Sequence, residues 1–131
     1  MCGITGFLSC SDSAKISAVE LIRMTESLAH RGPDDEGCVL IDGARSVSFK
    51  SSGRVPHEMR ASVGLGHRRL SILDLSDRGH QPMTCDEVPL WLVFNGEIYN
   101  YIELRSELKA IGHEFNSNTD MLTTPVPTRP S

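Results

Sequence analysis

The chain has 131 residues, of which 39% are apolar and 23% charged, enough for one domain with a core but too few for two full domains. Its formal net charge of −4 argues against a nucleic-acid partner, which would call for a basic face. No apolar run approaches the roughly 18 residues of a membrane span, and the N-terminus lacks the basic and apolar regions of a secretory signal. We therefore expect a cytoplasmic protein with no membrane partner.

The N-terminal part predicts a strand followed by a helix. Residues 3–9 form a short apolar run directly behind Cys2, which favours a strand. Apolar residues then recur at helical spacing over residues 16–29. Gly32 and Pro33 break helices, so the helix is expected to end before them.

The middle of the chain predicts further strands. Segments 37–42 and 45–50 flank the turn-forming pair Asp42-Gly43 and are typical of a hairpin. Another strand is expected within residues 63–75. The apolar run at 90–94 is the strongest buried-strand signal in the chain. This order of strands and helices predicts an α+β or layered α/β domain.

The C-terminal part predicts one amphipathic helix and a tail. The helix is expected from Tyr101 to Ile111, with Leu104, Leu108 and Ile111 on one face. Residues 121–131 contain three prolines and cannot bury an apolar face. They are expected to form an extended or disordered tail.

The chain has four cysteines, Cys2, Cys10, Cys38 and Cys85, and none of them form a Cys-x-x-Cys pair. A metal site is therefore not expected. A disulfide framework is not expected either, because nothing indicates a secretory context. Cys10, Cys38 and Cys85 are interpreted as small structural hydrophobes.

Cys2 is different because removal of Met1 would place a thiol and a free α-amine on one residue. The thiolate is a nucleophile and the amine can serve as its base. Asn95-Gly96 follows the strong strand signal and offers a side-chain amide and a backbone N–H, the donors that hold an oxyanion. Each feature also has an ordinary explanation that is more common when the feature is taken singly. Cys2 can be a plain structural thiol, Asn95-Gly96 a turn and Arg69 a surface arginine. The catalytic and the ordinary interpretations therefore both stay open.

Five segments occur together: Met-Cys-Gly-Ile-Thr-Gly-Phe at 1–7, His-Arg-Gly-Pro-Asp-Asp at 30–35, Gly-His-Arg-Arg-Leu-Ser-Ile-Leu-Asp at 66–74, Gly-His-Gln-Pro-Met at 79–83 and Asn-Gly-Glu-Ile-Tyr-Asn-Tyr at 95–101. Over roughly residues 2–120 the chain resembles the glutaminase domain of glutamine-hydrolysing asparagine synthetase, a class II (N-terminal nucleophile) glutamine amidotransferase. The third and fifth segments favour that branch, which also includes amidotransferases of polysaccharide gene clusters.

The resemblance implies an α+β fold, a four-layer αββα sandwich of the N-terminal nucleophile hydrolase type. It also implies hydrolysis of L-glutamine to L-glutamate and ammonia through a thioester on Cys2, with the α-amine of Cys2 as general base and then acid. Asn95 and Gly96 would form the oxyanion hole. The implied glutamine-binding residues are Arg69 for the α-carboxylate, Leu70, Ser71, Ile72 and Leu73 for the pocket wall, Asn95 and Gly96, and Glu97 and Asp120 for the α-ammonium. Arg68 is expected to face solvent, and His67 and His80 to be structural.

The sequence departs from this family after Asp120, where a proline-rich segment replaces the family's helix. The resemblance therefore implies a partial domain at 2–120, incomplete at its C-terminus, followed by the tail at 121–131. The Ser-Gly-Gly-x-Asp-Ser loop for ATP is absent from the sequence, so no cofactor is expected in this chain. ATP and magnesium would belong to a synthetase domain or subunit that receives the ammonia. The alternatives are a non-catalytic remnant and an amidotransferase of a polysaccharide or sugar-phosphate pathway.

Overall fold

A four-stranded antiparallel sheet is the centre of the computed structural model, which describes residues 1–71, 79–85, 88–113 and 115. The sheet has the order β1–β6–β3–β4, formed by β1 (Gly3–Leu8), β6 (Val63–Arg69), β3 (Asp35–Asp42) and β4 (Arg45–Phe49). Two small antiparallel pairs accompany it: β2 (Ile16–Ser17) with β5 (Arg60–Ala61), and β7 (Met83–Cys85) with β8 (Val88–Leu92). The helices are α1 (Ala18–Glu26) and α2 (Tyr101–Ala110). The chain is thus a mixed α/β protein with antiparallel sheets.

Helix α1 begins at a capping box. The Glu20 N–H donates to Ser17 Oγ at 3.3 Å, and the Ser17 N–H donates to the Glu20 carboxylate at 2.8 Å. The predicted start at Ile16 was two residues too early. Ile16 and Ser17 pair instead with Ala61 and Arg60 as strand β2, because Ile16 is only 4% exposed and its side chain belongs to the core.

The main core lies between α1 and one face of the sheet. Gly66 of β6 lies between Thr5 of β1 and Cys38 of β3 in the register, and Thr25 of α1 packs over it. The Thr25 and Thr5 hydroxyls are 3.2 Å apart, and the Thr25 hydroxyl also donates to the Leu21 carbonyl at 2.9 Å. A Cβ at position 66 would overlap both hydroxyls, so the helix can approach the sheet this closely only above a glycine.

The hairpin expectation was confirmed. Strands β3 and β4 pair from Asp42 opposite Arg45 to Cys38 opposite Phe49. Gly43 has φ +58°, in the left-handed region that suits glycine at a tight turn. The local signal at Asp42-Gly43 was therefore sufficient to place this turn.

The predictions further along the chain were less accurate. The strand expected at 90–94 occurs as β8, two residues earlier, and its partner β7 was not expected. Helix α2 confirms the second predicted helix. It ends at Ala110, one residue earlier than expected; Ile111 is 69% exposed, and no residue of α2 is buried. The predicted tail at 121–131 lies outside the described residues.

His67 is the largest polar side chain in the part of the core opposite α1. It is 1% exposed, and its neighbours in the register are Ile4 and Gly37. Burial lowers the pKa of His67 to about 4, although a hydrogen bond with the Phe94 backbone acts in the opposite direction. The ring is therefore neutral at physiological pH.

Replacing Gly66 by alanine is expected to lower the free energy of unfolding by roughly 2–3 kcal/mol, as overpacking does. The added methyl group would force α1 away from the sheet. Gly6→Ala is the matched control, because its Cβ would meet only the Leu65 side chain at 3.8 Å. Urea unfolding of both variants measures the difference, and equal losses would contradict the close packing of Thr25 on Gly66.

Acidification from pH 7 to pH 5 is expected to remove about 2 kcal/mol of unfolding free energy through His67. In this range the unfolded chain binds a proton that the buried ring, with its pKa of about 4, does not, so stability falls as the pH falls. The paired carboxylates, whose pKa values are lowered from 3.8 or 4.5, act below this range. Urea unfolding at both pH values should show the loss shrinking in His67→Gln and persisting in His57→Gln, which replaces an exposed histidine.

Candidate functional site

Cys2 lies at the start of β1, beside the end of β6. Gly3 faces Arg68 in the register, so the residue before Gly3 reaches the chain just past β6. The Leu70 N–H donates to Cys2 Sγ at 3.4 Å, and the same sulfur is 3.9 Å from the Leu70 carbonyl oxygen. Leu70 therefore contacts the Cys2 sulfur through both of its backbone polar groups.

Asn95, which is 93 residues further along the chain, also contacts Cys2. Its side-chain Nδ2 donates to the Cys2 carbonyl at 3.0 Å. Asn95 and Gly96 are both exposed, and a Cβ at Gly96 would meet the Phe94 ring at 2.6 Å. The structure therefore brings together Cys2 and Asn95, which the sequence analysis had connected, and Gly96 follows Asn95 in the chain.

The Phe94 backbone fixes the approach of Asn95. The Phe94 N–H donates to Gln81 Oε1 at 2.6 Å. Gln81 is 7% exposed, and its backbone carbonyl lies so close to Gly37 of β3 that a Cβ there would overlap it. The residue before Asn95 is thus held by the side chain of a buried residue that packs against the sheet.

Arg69 is the last residue of β6 and is paired with Asp35 of β3. The guanidinium group passes so close to Gly79 that a Cβ there would overlap it. The Arg69 carbonyl accepts from the Asp34 N–H at 3.0 Å, and the Asp34 carboxylate accepts from the Ser71 N–H at 2.7 Å. Asp34 therefore contacts the chain on both sides of Leu70.

Two carboxylates at the start of β3, those of Asp35 and Glu36, form ion pairs. Asp35 binds Lys50 and His80, each at 2.7 Å. Burial raises the pKa of the Asp35 carboxyl, but the hydrogen bonds from Lys50 and His80 outweigh it, so the pKa lies below its usual value. Glu36 binds Arg68 at 3.1 Å.

Arg68 corrects one expectation. Its side chain is 13% exposed and therefore does not face solvent as predicted. Besides Glu36, it donates through Nε to the Gly32 carbonyl at 2.8 Å. Arg68 holds the segment before β3 against the end of β6.

The other predicted site residues differ in how far the structure describes them. Leu70 contacts Cys2, Ser71 follows it and binds Asp34, and Glu97 is exposed. Ile72, Leu73 and Asp120 lie outside the described residues. Sequence reasoning missed Asp34 and Gln81, although both belong to motifs, 30–35 and 79–83, that carried the resemblance. Within the described ranges, no three His, Cys, Asp or Glu side chains are grouped to hold a metal ion, and no helix is long and apolar enough to cross a membrane.

The chain belongs to the glutamine amidotransferase domain family, whose model matches residues 52–124. Within this family it is similar to glutamine-hydrolysing asparagine synthetases, as the sequence motifs predicted.

Three such relatives illustrate the similarity. Asparagine synthetase 1 of Bacillus subtilis is 39% identical over 122 residues, and asparagine synthetase 3 of the same organism is 34% identical over 122 residues. The asparagine synthetase of Brassica oleracea is 34% identical over 120 residues. Each alignment covers 92% of this chain but only 16% or 17% of the relative. The chain thus spans about one sixth of the length of these relatives.

Proposed function

We propose that this domain hydrolyses L-glutamine to L-glutamate and ammonia through a thioester on Cys2. The observation that carries the proposal is the convergence on Cys2 of the Leu70 N–H at 3.4 Å and the Asn95 amide at 3.0 Å. Membership of the glutamine amidotransferase domain family supports glutamine as the substrate.

The proposed reaction begins once Met1 has been removed. The α-amine of Cys2 takes the thiol proton, and the sulfur attacks the γ-carbonyl carbon of glutamine. The Asn95 amide and the Gly96 N–H then stabilise the tetrahedral oxyanion. The protonated amine transfers its proton to the departing nitrogen, which leaves as ammonia, and water cleaves the thioester to give glutamate.

The proposed substrate contacts follow the same residues. The Arg69 guanidinium binds the α-carboxylate through two parallel hydrogen bonds. Glu97 and Asp120 bind the α-ammonium, and the segment from Leu70 through Ser71 and Ile72 to Leu73 forms the wall beside the thiol. The contact of Arg69 with Gly79 supports a fixed direction for the guanidinium.

We further propose that residues 2–120 represent part of a four-layer αββα domain that supplies ammonia to a synthetase domain or subunit. The exposed apolar side chains Ile4, 40% exposed, and Leu8, 73% exposed, lie on the sheet face opposite α1 and support a further layer there. ATP and magnesium would act in the synthetase part. The cytoplasmic location expected from the sequence stays a prediction.

A glutamine analogue that carries an electrophilic ketone is expected to add once to the folded, Met1-free chain, at Cys2. Intact mass followed by peptide mapping measures the adduct. Cys2→Ala should abolish it, whereas Cys10→Ala, which removes an exposed thiol, should leave it unchanged. A folded chain that forms no adduct, or that forms the adduct at Cys10, would refute the proposal.

Arg69→Lys is expected to raise the KM for glutamine roughly 10- to 100-fold, because one charged bidentate contact contributes about 1.5–3 kcal/mol. The value of kcat should change less, since this contact is made equally in the ground state and the transition state. Ammonia release at varied glutamine concentration measures both constants. Arg45→Lys, which alters an exposed arginine of β4, is the control, and an unchanged KM in Arg69→Lys would rule out the assigned contact.

A further inference from the structure

We propose that Asp34 is a positioning residue that holds the Leu70 N–H on the Cys2 sulfur. Its backbone N–H donates to the Arg69 carbonyl at 3.0 Å, and its carboxylate accepts from the Ser71 N–H at 2.7 Å. These two residues flank Leu70, whose N–H donates to Cys2 Sγ at 3.4 Å. One side chain and its own backbone therefore enclose the residue that contacts the nucleophile.

The position of Leu70 explains why it requires such support. Strand β6 ends at Arg69, and the last pair of the β3–β6 ladder joins Asp35 to Arg69. Leu70 and Ser71 lie outside regular structure, so the ladder does not fix them. The Asp34 carboxylate takes the place of the next strand residue by accepting from the Ser71 N–H in a charge-assisted hydrogen bond at an exposed position.

Asp34 is itself held in place by the residues before it. Gly32 lies so close to the backbone between Arg68 and Arg69 that a Cβ would overlap it. The Gly32 carbonyl accepts from Arg68 Nε at 2.8 Å. Pro33 restricts the backbone between Gly32 and Asp34. The Gly-Pro-Asp sequence thus has a physical role that does not require Asp34 to touch the substrate.

A purely structural turn would have a different signature. If Asp34 served only stability, its loss would lower the melting temperature and leave the chemistry of Cys2 in the folded chain unchanged. If it positions Leu70, the reactivity of Cys2 depends on an acceptor oxygen at one location. Asparagine keeps that oxygen without the charge, whereas glutamate keeps the charge but displaces the oxygen by one methylene group.

The test compares Asp34→Asn, Asp34→Glu and Asp34→Ala in the full, Met1-free chain. The rate of Cys2 carbamidomethylation by iodoacetamide at one pH is read by peptide mapping, and kcat and KM for glutamine are measured alongside. Alanine and glutamate are expected to lower both the labelling rate and kcat about tenfold, the effect of losing one charged hydrogen bond. Asparagine should stay within about threefold of the original chain.

Asp42→Ala is the matched control, because the Asp42 carboxylate also accepts from a backbone N–H, that of Ser62 at 3.3 Å, at the other end of β3. It should lower stability without changing Cys2 labelling. Retained labelling in Asp34→Glu, or an asparagine variant as slow as the glutamate variant, would overturn the proposal. If alanine prevents folding, the asparagine and glutamate variants still decide it.

The kinetic part of this test rests on the proposed function, whereas the labelling part does not. A chain that never hydrolyses glutamine but shows the Asn-versus-Glu difference in labelling would refute the proposed activity and support the positioning role. Normal hydrolysis with no difference in labelling among the variants would support the proposed activity and refute the positioning role of Asp34.

Discussion

The pairing of β1 with β6 is the constraint on which the site depends. With Gly3 opposite Arg68, Cys2 can reach only the chain immediately past β6, and there it meets Leu70. A slip by one residue would turn every side chain to the other face of the sheet. The contact of Thr25 with Thr5 across Gly66 opposes that slip, because a slip by one residue would turn Thr5 away from α1. The packing of α1 on the sheet therefore helps to fix the register that places Cys2 beside Leu70.

The ion pairs at the start of β3 are partly buried, with side-chain exposures between 13% and 39%. Burying an ion pair costs desolvation energy that its attraction often only balances. The pairs of Asp35 with Lys50 and of Glu36 with Arg68 nevertheless lie where β3 meets β6, a few residues from Cys2. Each pair restricts the direction of a strand end at the point where β6 leaves the sheet. Apolar residues of the same size would not distinguish one approach of these chains from another.

Local periodicity was enough for much of the fold, because the hairpin around Gly43, strand β1 and both helices depend on neighbours in sequence. It could not place Ile16, whose strand partner Ala61 is distant in the chain. The motifs connect Cys2 with Asn95 from the sequence alone. The contacts that orient them were not predictable in this way. The Ser71–Asp34 hydrogen bond spans 37 positions, and no local pattern encodes which backbone N–H a given carboxylate will meet.

The hydrogen bond at Phe94 has a mechanical consequence. Gln81 binds the Phe94 N–H and packs against Gly37 of β3, and β3 is paired with β6, so Asn95 is located relative to the same sheet whose strand β6 ends beside Leu70. The two groups that donate to Cys2, the Leu70 N–H and the Asn95 side-chain amide, are therefore both positioned by the same sheet. Fluctuations that displace the sheet as a rigid unit carry both donors together and leave their separation constant. The distance between these two donors can then change only through distortion of the short links from β6 to Leu70 and from Phe94 to Asn95.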